Sequence, residues 1–549
     1  MKRKKELIVI LSSLLVIVLS VSVAYFTTKI LGTGKEISVE SADLKVIFTS
    51  GSGTINGTNI EPGWRSGENT FTVKNESNGT YKYNIIIKDL VNTFVTEGFL
   101  VYKITSTDGG YNMTDFVDVP KSSAKADMVL AENISIAKGA THTYTVEFKY
   151  LESEDVDQSA DMGKKLSGKI FIEESKFKGG TLSEAIKFYN PTISTRSDFS
   201  TAFTTNTANT LYKATENGTD VYYFAGQDTT STPINNWVKF GKYQNDLIKY
   251  RGYYSSSSTS YKEYPTMEEC TSATLYNVNC TAYKYASAGD NIYWRIIRTN
   301  ADGSIRLLYH GTSTAATNAY IGRSEFNEKS NDSMYVGYMY GTSGSQESNR
   351  TNTNNSTIKT AIDNWYAGNM TSYTKYLSTI AVYCNDREVG SGTYSATGST
   401  FYYAANTRLD TNKTPTYDCT NDNDKFTVVA SSGNGKLTYP IALMTADEIA
   451  YAGGVANKRA PMWYYTNSSL ESSTGTELWW SLSPSHWLGG SARSWRVGGS
   501  DYPGNLIGNF VNYSYGVRPV VSLKSCIKYS TGNGTSETPY EIVETSSGC

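Results

Sequence analysis

Tyr144-Thr145-Val146-Glu147-Phe148-Lys149-Tyr150 sets an aromatic or branched side chain at every second position and a polar one between. Side chains of a strand alternate between its two faces, so this stretch predicts a strand with one buried face and one wet face. Outward from it, the same period recurs at Leu44, Val46 and Phe48, at Phe71 and Val73, at Tyr83, Ile85 and Ile87, at Leu100, Tyr102 and Ile104, and at Ile170 and Ile172. Clusters such as Asn75-Glu76-Ser77-Asn78-Gly79 separate these runs and read as turns. Residues 35–175 are therefore expected to form an antiparallel β-sandwich of about seven or eight strands.

Across the 549 residues, Lys and Arg number 50 against 52 Asp and Glu. That balance argues against a nucleic-acid binder, which would carry a basic stripe. Charged residues make up 19%, so polarity rests on Ser, Thr, Asn, Gly and 43 Tyr; with 13% aromatics the chain is not a disordered one. The length allows about three domains. His142, His310 and His486 are the only histidines and lie too far apart for a zinc motif, so no metal and no cofactor is expected. Met1-Lys2-Arg3-Lys4-Lys5 precedes an uncharged, mostly apolar run from Leu7 to Phe26. Residues 1–29 thus read as a signal peptide or a membrane anchor. Ser22-Val23-Ala24 offers small residues for cleavage after Ala24; left uncut, the run from Leu7 to Phe26 would hold the protein in a membrane.

The six cysteines all lie in the second half. Sequence-local pairing is the simplest expectation: Cys270–Cys280, Cys384–Cys419 and Cys526–Cys549. No His stands near any Cys in sequence, which favours bridges over a catalytic thiol. Residues 176–205 read as a connector with one short helix around Leu182 to Tyr189, stopped by Pro191. Leu211 to Phe224 reads as a hairpin turning at Asn217-Gly218, and Asn291 to Tyr309 as another turning at Asn300-Ala301-Asp302-Gly303. Ser356 caps a helix carrying Ile358, Ile362, Trp365 and Tyr366; Thr445 with Glu448 forms the capping box of a second, ended by Gly453-Gly454. Residues 253–260 and 341–357 read as mobile surface loops, and 526–549 as a disulfide-stapled C-terminal tail. The fold class expected is mostly β with a minor α part.

Two resemblances follow. Val23-Ala24-Tyr25-Phe26-Thr27, Ile60-Glu61-Pro62-Gly63 and Phe71-Thr72-Val73-Lys74-Asn75 resemble the TasA/camelysin-type exported β-sandwiches of Gram-positive bacteria, over about residues 1–175. That resemblance implies export together with fibre assembly or peptidase activity, and no His-Glu-x-x-His supports the latter. Trp479-Trp480-Ser481-Leu482-Ser483-Pro484, a Gly/Asn-rich stretch, and Gly516-Val517-Arg518-Pro519-Val520-Val521-Ser522-Leu523 are similar to a bacterial surface domain. That domain in turn resembles the C-type-lectin-like fold shared with formylglycine-generating enzymes. Phe240-Gly241 and Trp294-Arg295-Ile296-Ile297-Arg298 match its early strands, with an insertion holding Cys270 and Cys280 at 242–290. The likeness covers about residues 206–525 and implies an α+β scaffold that displays a long irregular loop. No Cys occurs from Trp479 to Tyr515, so the enzymes' thiol chemistry is not implied.

The loop from Ser485 to Tyr513 is the candidate ligand surface, through His486, Trp487, Arg493, Trp495, Asp501, Tyr502, Asn505, Asn509 and Tyr513. Trp and Tyr make low-entropy anchors, and Asn adapts its hydrogen bonds. Trp479 and Trp480 read as core, and Arg518 as a buried Arg on loop carbonyls. Asp155, Asp157 and Asp161, and likewise Asn421-Asp422-Asn423-Asp424, have a calcium-like composition but read as polar turns. Ser485 beside His486 has a hydrolase pair's composition without a nucleophile elbow, so no enzyme is expected. The sequence reads as an exported bacterial cell-surface protein whose lectin-like head binds a glycan or protein on a host or neighbouring cell. The alternative is a matrix or pilus-like subunit, a homopolymer built through the sandwich.

Overall fold

A computed structural model describes residues 36–38, 44–50, 54–57, 60–76, 80–205, 208–229, 232–465 and 472–549. The expected signal or anchor segment, with the run from Leu7 to Phe26, lies outside the described residues. The protein is mostly β, with 38% strand and 13% helix. It divides into two compact units rather than three, between Lys176 and Phe177. Among the described residues no helix is long and apolar enough to cross a membrane.

The first unit is sandwich-like. Its six-stranded sheet runs in the order Glu36–Ser38, Leu44–Ser50, Asn69–Asn75, Thr141–Tyr150, Leu100–Ser106, Val117–Asp118. Its four-stranded sheet runs Thr54–Gly57, Leu166–Glu174, Tyr81–Asn92, Ser122–Ile136. Alternation decides which face is buried: Tyr144, Val146 and Phe148 join Phe71, Val73 and Ile104 from their own sheet and Tyr83, Ile85, Ile87 and Ile172 from the other in one core. A polar knot sits inside it, where the Tyr83 hydroxyl meets His142 Nδ1 at 2.8 Å and the Tyr144 hydroxyl at 2.6 Å. Asp161 accepts hydrogen bonds from the Val95 amide and the Tyr150 hydroxyl, so its carboxylate closes the end of the sandwich.

The second unit is built on a ten-stranded sheet. The two expected hairpins lie in it. Thr210–Glu216 pairs antiparallel with Thr219–Tyr223, and Asn217 and Gly218 between them both take positive φ, as a two-residue turn matched to strand twist requires. Asn291–Thr299 pairs with Ile305–Gly311, which pairs in turn with Pro519–Leu523.

Residues 176–205 are not a connector, because they carry apolar side chains that this core absorbs. Leu182, Ala185 and Ile186 of helix Leu182–Tyr189 are buried in it, and Thr192–Thr195 adds a parallel strand beside Thr210–Glu216. Nor is 526–549 a tail: Tyr529–Thr531 and Tyr540–Ile542 extend the same sheet. The 242–290 insertion forms its own three-stranded sheet, with Leu247–Tyr253 between Tyr261–Tyr264 and Val278–Ala286. The disulfide Cys270–Cys280 joins helix Met267–Ser272 to it. Residues 341–357 are structured, since buried Arg387 needs acceptors there. Its guanidinium donates to Asn352 Oδ1 at 3.0 Å, and Asn349, Asn352 and Ser356 are buried. Disulfides Cys384–Cys419 and Cys526–Cys549 complete the expected set, and three bridges fit an oxidising environment.

Arg323 ties the insertion to the rest of the unit. Its guanidinium donates to the Tyr261 and Ser514 carbonyls, and its Nε lies 3.2 Å from Glu477. Burial raises the Glu477 carboxyl from 4.5 to about 7, Arg323 opposing and Glu263 adding to the rise. A folded-state pKa above the unfolded one stabilises fully below the unfolded value, and that stability is lost as pH rises through the folded one. Glu477→Gln, held in the neutral state, should therefore gain about 1–3 kcal/mol on the wild type between pH 5 and pH 8. Urea unfolding at the two pH values measures this; an unchanged difference would mean that Glu477 titrates normally.

Candidate functional site

The stretch from Ser485 to Tyr513 is mostly sheet, with turns at 489–490, 498–505 and 511–513, rather than one irregular loop. Trp479–Leu488 turns at Gly489-Gly490, both at positive φ, into Ser491–Val497, which pairs with Leu506–Phe510. A short strand, Phe401–Tyr403, lies along the other edge of Trp479–Leu488. The extended conformation buries what the sequence reading took for exposed anchors. Trp487 and Trp495 are each 1% exposed. Trp487 faces Phe401 across the strands and donates its indole N–H to the Gly398 carbonyl at 3.1 Å. Both tryptophans belong to the core, as do Trp479 and Trp480.

Three of the candidates share one accessible row. Directly opposed residues of neighbouring strands lie on the same face. The register sets Tyr402 opposite His486, His486 opposite Arg493, and Arg493 opposite Phe510. The Tyr402 and His486 rings lie 5.4 Å apart, and the Arg493 guanidinium sits 4.2 Å from the Phe510 ring centre. Tyr513 continues the row, 5.3 Å from Phe510. Tyr402 is 37% exposed and Tyr513 46%, with His486, Arg493 and Phe510 half-buried between them. Burial and the neighbouring Arg493 bring the His486 imidazole down to about 4, so it presents a neutral ring at neutral pH.

Asp501, Tyr502 and Asn505 sit elsewhere, in the turn at the far end of Ser491–Val497. Val497, after which that turn begins, is about 13 Å along the strand from Arg493, at ~3.3 Å per residue. Tyr502 is 55% exposed there, 5.4 Å from the Arg459 guanidinium. Asn509 is spent internally, donating to the Tyr515 hydroxyl and accepting from the Phe510 amide. Sequence reading missed Tyr402 and Phe510. Phe401-Tyr402-Tyr403 carries the signal of a strand, with Phe401 and Tyr403 buried and Tyr402 outward, but only the pairing register places it beside His486.

Ser485 Oγ lies 2.8 Å from His486 Nδ1, and Ser485 is buried. Among the described residues no three His, Cys, Asp or Glu group to hold a metal. Asp424, in the calcium-like Asn421-Asp424 turn, is paired with Arg387 at 2.6 Å and Arg350 at 3.2 Å. Arg518 is buried and donates to the Tyr309 and Tyr464 carbonyls, a framework role. Compared with known proteins, the chain matches no family model and no curated protein.

Proposed function

We propose that the second unit is a binding head whose ligand surface is the row Tyr402, His486, Arg493, Phe510 and Tyr513. The observation that carries this is the partly exposed run of flat rings around one cation on a paired sheet. Rings stack on the apolar faces of sugars or peptide side chains at little entropic cost, and Arg493 adds a directional donor. The lectin-like scaffold implied by the sequence and export to a bacterial surface belong to this reading, as does tethering through the run from Leu7 to Phe26. The first unit then serves as a spacer. Its long edge strand Ser122–Ile136 meets Tyr81–Asn92 through repeated register shifts and turns Lys125, Asp127 and Glu132 outward, features that block strand addition and weigh against a homopolymer.

A glycan and peptide array probed with the full chain supplies the ligand. Tyr402→Ala and Arg493→Ala should each weaken binding to the best hit about 10-fold or more, with the unfolding midpoint unchanged. Loss of binding on Tyr502→Ala instead would move the site to the 498–505 turn.

A further inference from the structure

At the centre of the row, the ladder between Trp479–Leu488 and Ser491–Val497 skips a residue. Pro484 pairs with Ser494 and His486 with Arg493, so Ser485 is an extra residue, a β-bulge. Bulges re-aim the side chains beside them. Ser485 is fully buried, and its Oγ lies 2.8 Å from His486 Nδ1. Gly508, on Leu506–Phe510, leaves room for both: a Cβ there would strike Ser485 Oγ and come within 3.0 Å of His486 Cε1.

The direction of the Ser485–His486 hydrogen bond follows from a third residue. Asn406, itself buried, donates from Nδ2 to Ser485 Oγ at 3.4 Å. With that lone pair engaged, the hydroxyl proton is the one left for His486, and Nδ1 accepts it. The reverse assignment would bury the Ser485 proton with no acceptor among the described residues, an arrangement that buried polar groups avoid. At neutral pH the imidazole holds a single proton, because burial and Arg493 bring it down to about 4. That proton therefore sits on Nε2, which makes no hydrogen bond among the described residues.

The Arg493 guanidinium, on the opposite residue of the rung, likewise makes no hydrogen bond or ion pair among the described residues; the Phe510 ring holds it at 4.2 Å. Asp410, the carboxylate that acts on His486, is engaged by Lys413 at 3.8 Å and Asn457 at 3.2 Å. Two donors, one of them a cation, thus stand on one rung without an acceptor. We propose that this rung reads an oxyanion on the ligand through His486 Nε2–H and the Arg493 guanidinium, and that Ser485 and Asn406 are positioning residues that hold His486 in the donor form. This rests on the aromatic row as the ligand surface. A charged acceptor bonds such a pair more strongly than a neutral one. Opposed Cα atoms lie about 4.5–5.5 Å apart, so both side chains come within reach of one carboxylate or phosphate group.

Nitrogen NMR on the full chain labelled at histidine tests the tautomer, with His486→Gln identifying the signal. His486 should show a protonated Nε2 and a bare Nδ1 at neutral pH, and Ser485→Ala should shift the Nδ1 signal as its hydrogen bond is lost. Acetate and inorganic phosphate, each compared with chloride at equal ionic strength, then test the rung. At least one oxyanion should shift the His486 Nε2 signal saturably while chloride does not, and the one that acts distinguishes a carboxylate from a phosphate. Arg493→Gln should weaken this response about 10-fold or more and Ser485→Ala about 3-fold or more, the worth of a charge-assisted and of a neutral hydrogen bond. A protonated Nδ1 in the wild type, an Nδ1 signal unmoved by Ser485→Ala, no saturable shift with either oxyanion, or insensitivity to Arg493→Gln would overturn the proposal. If Ser485→Ala fails to fold, the wild-type tautomer and Arg493→Gln decide. An intact anion response with array binding lost on Tyr502→Ala alone would instead overturn the row as the surface for the array hit and leave the rung as an oxyanion site.

Discussion

Glu448→Gln is expected to destabilise the second unit by about 3–5 kcal/mol, the usual cost of leaving a buried charge without its partner. Glu448 Oε1 accepts from Arg298 Nε at 3.0 Å and from Arg306 Nη1 at 2.6 Å, and Arg298 Nη2 reaches Glu216 at 2.9 Å. All four side chains are at most 8% exposed, so two guanidiniums and two carboxylates form a neutral buried cluster. Removing one carboxylate leaves a net positive charge in the core. The other oxygen of Glu448 accepts the Thr445 amide and closes the capping box of helix Ala446–Tyr451, so the same residue also holds a helix end. Burial pushes the Glu448 carboxyl up, but Arg306 and Arg298 pull it below its ordinary value on balance. A depressed folded pKa contributes stability that is present above the unfolded pKa and lost as pH falls through the folded one, so the variant should be less acid-sensitive than the wild type. All tryptophans but Trp64 lie in the second unit, so tryptophan fluorescence during urea unfolding reports on it. Glu448→Met with Arg306→Met leaves the neutral Arg298–Glu216 pair and should recover part of the loss. A loss below about 1 kcal/mol in the single variant would show that the core relaxes around the charge.

That cluster was not legible in the sequence, and the reason is general. Glu216 and Glu448 stand 82 and 150 residues from Arg298, and no local period marks a charge that a distant partner will bury. The features that were legible are local ones. The alternation through Tyr144, Val146 and Phe148, the Asn217-Gly218 turn and the Thr445/Glu448 capping box each depend on neighbours within a few residues. Bridges between cysteines 10, 35 and 23 residues apart are almost as local. The candidate surface failed for a different cause. Trp479–Leu488 is covered on both faces for most of its length, so it shows no alternation, and its Ser, His and Gly neighbours imitate an exposed loop. Leu182 and Ile186 misled in the same way, since a short amphipathic helix beside Gly179-Gly180 looks like a linker until its apolar side finds the sheet.

Trp487→Ala is expected to cost about 3–5 kcal/mol, as for other large-to-small changes at fully buried aromatics. Its side chain is buried in the core on the rung opposite Phe401, and its indole N–H donates to the Gly398 carbonyl at 3.1 Å. Truncation opens a cavity, and the Gly398 carbonyl, which stands in an exposed loop, can turn to water, so the cavity sets the cost. Tyr402 is the next residue along the neighbouring strand and points to the opposite face, where it is 37% exposed. Tyr402→Ala should therefore change stability by less than about 1 kcal/mol. The two substitutions sit at adjacent rungs of one ladder, Phe401 with Trp487 and Tyr402 with His486, so they compare the two faces at nearly the same place. Urea unfolding and binding to the array hit, measured on both variants, give two readings each. Trp487→Ala should lose stability and, under conditions where it stays folded, keep most of its affinity; Tyr402→Ala should keep stability and lose affinity. The reverse pattern would mean that Trp487 reaches the ligand and that the strand opens to let it do so. Equal loss of stability in both would mean that the aromatic row is packed over by chain, and that ligand contacts lie away from the sheet.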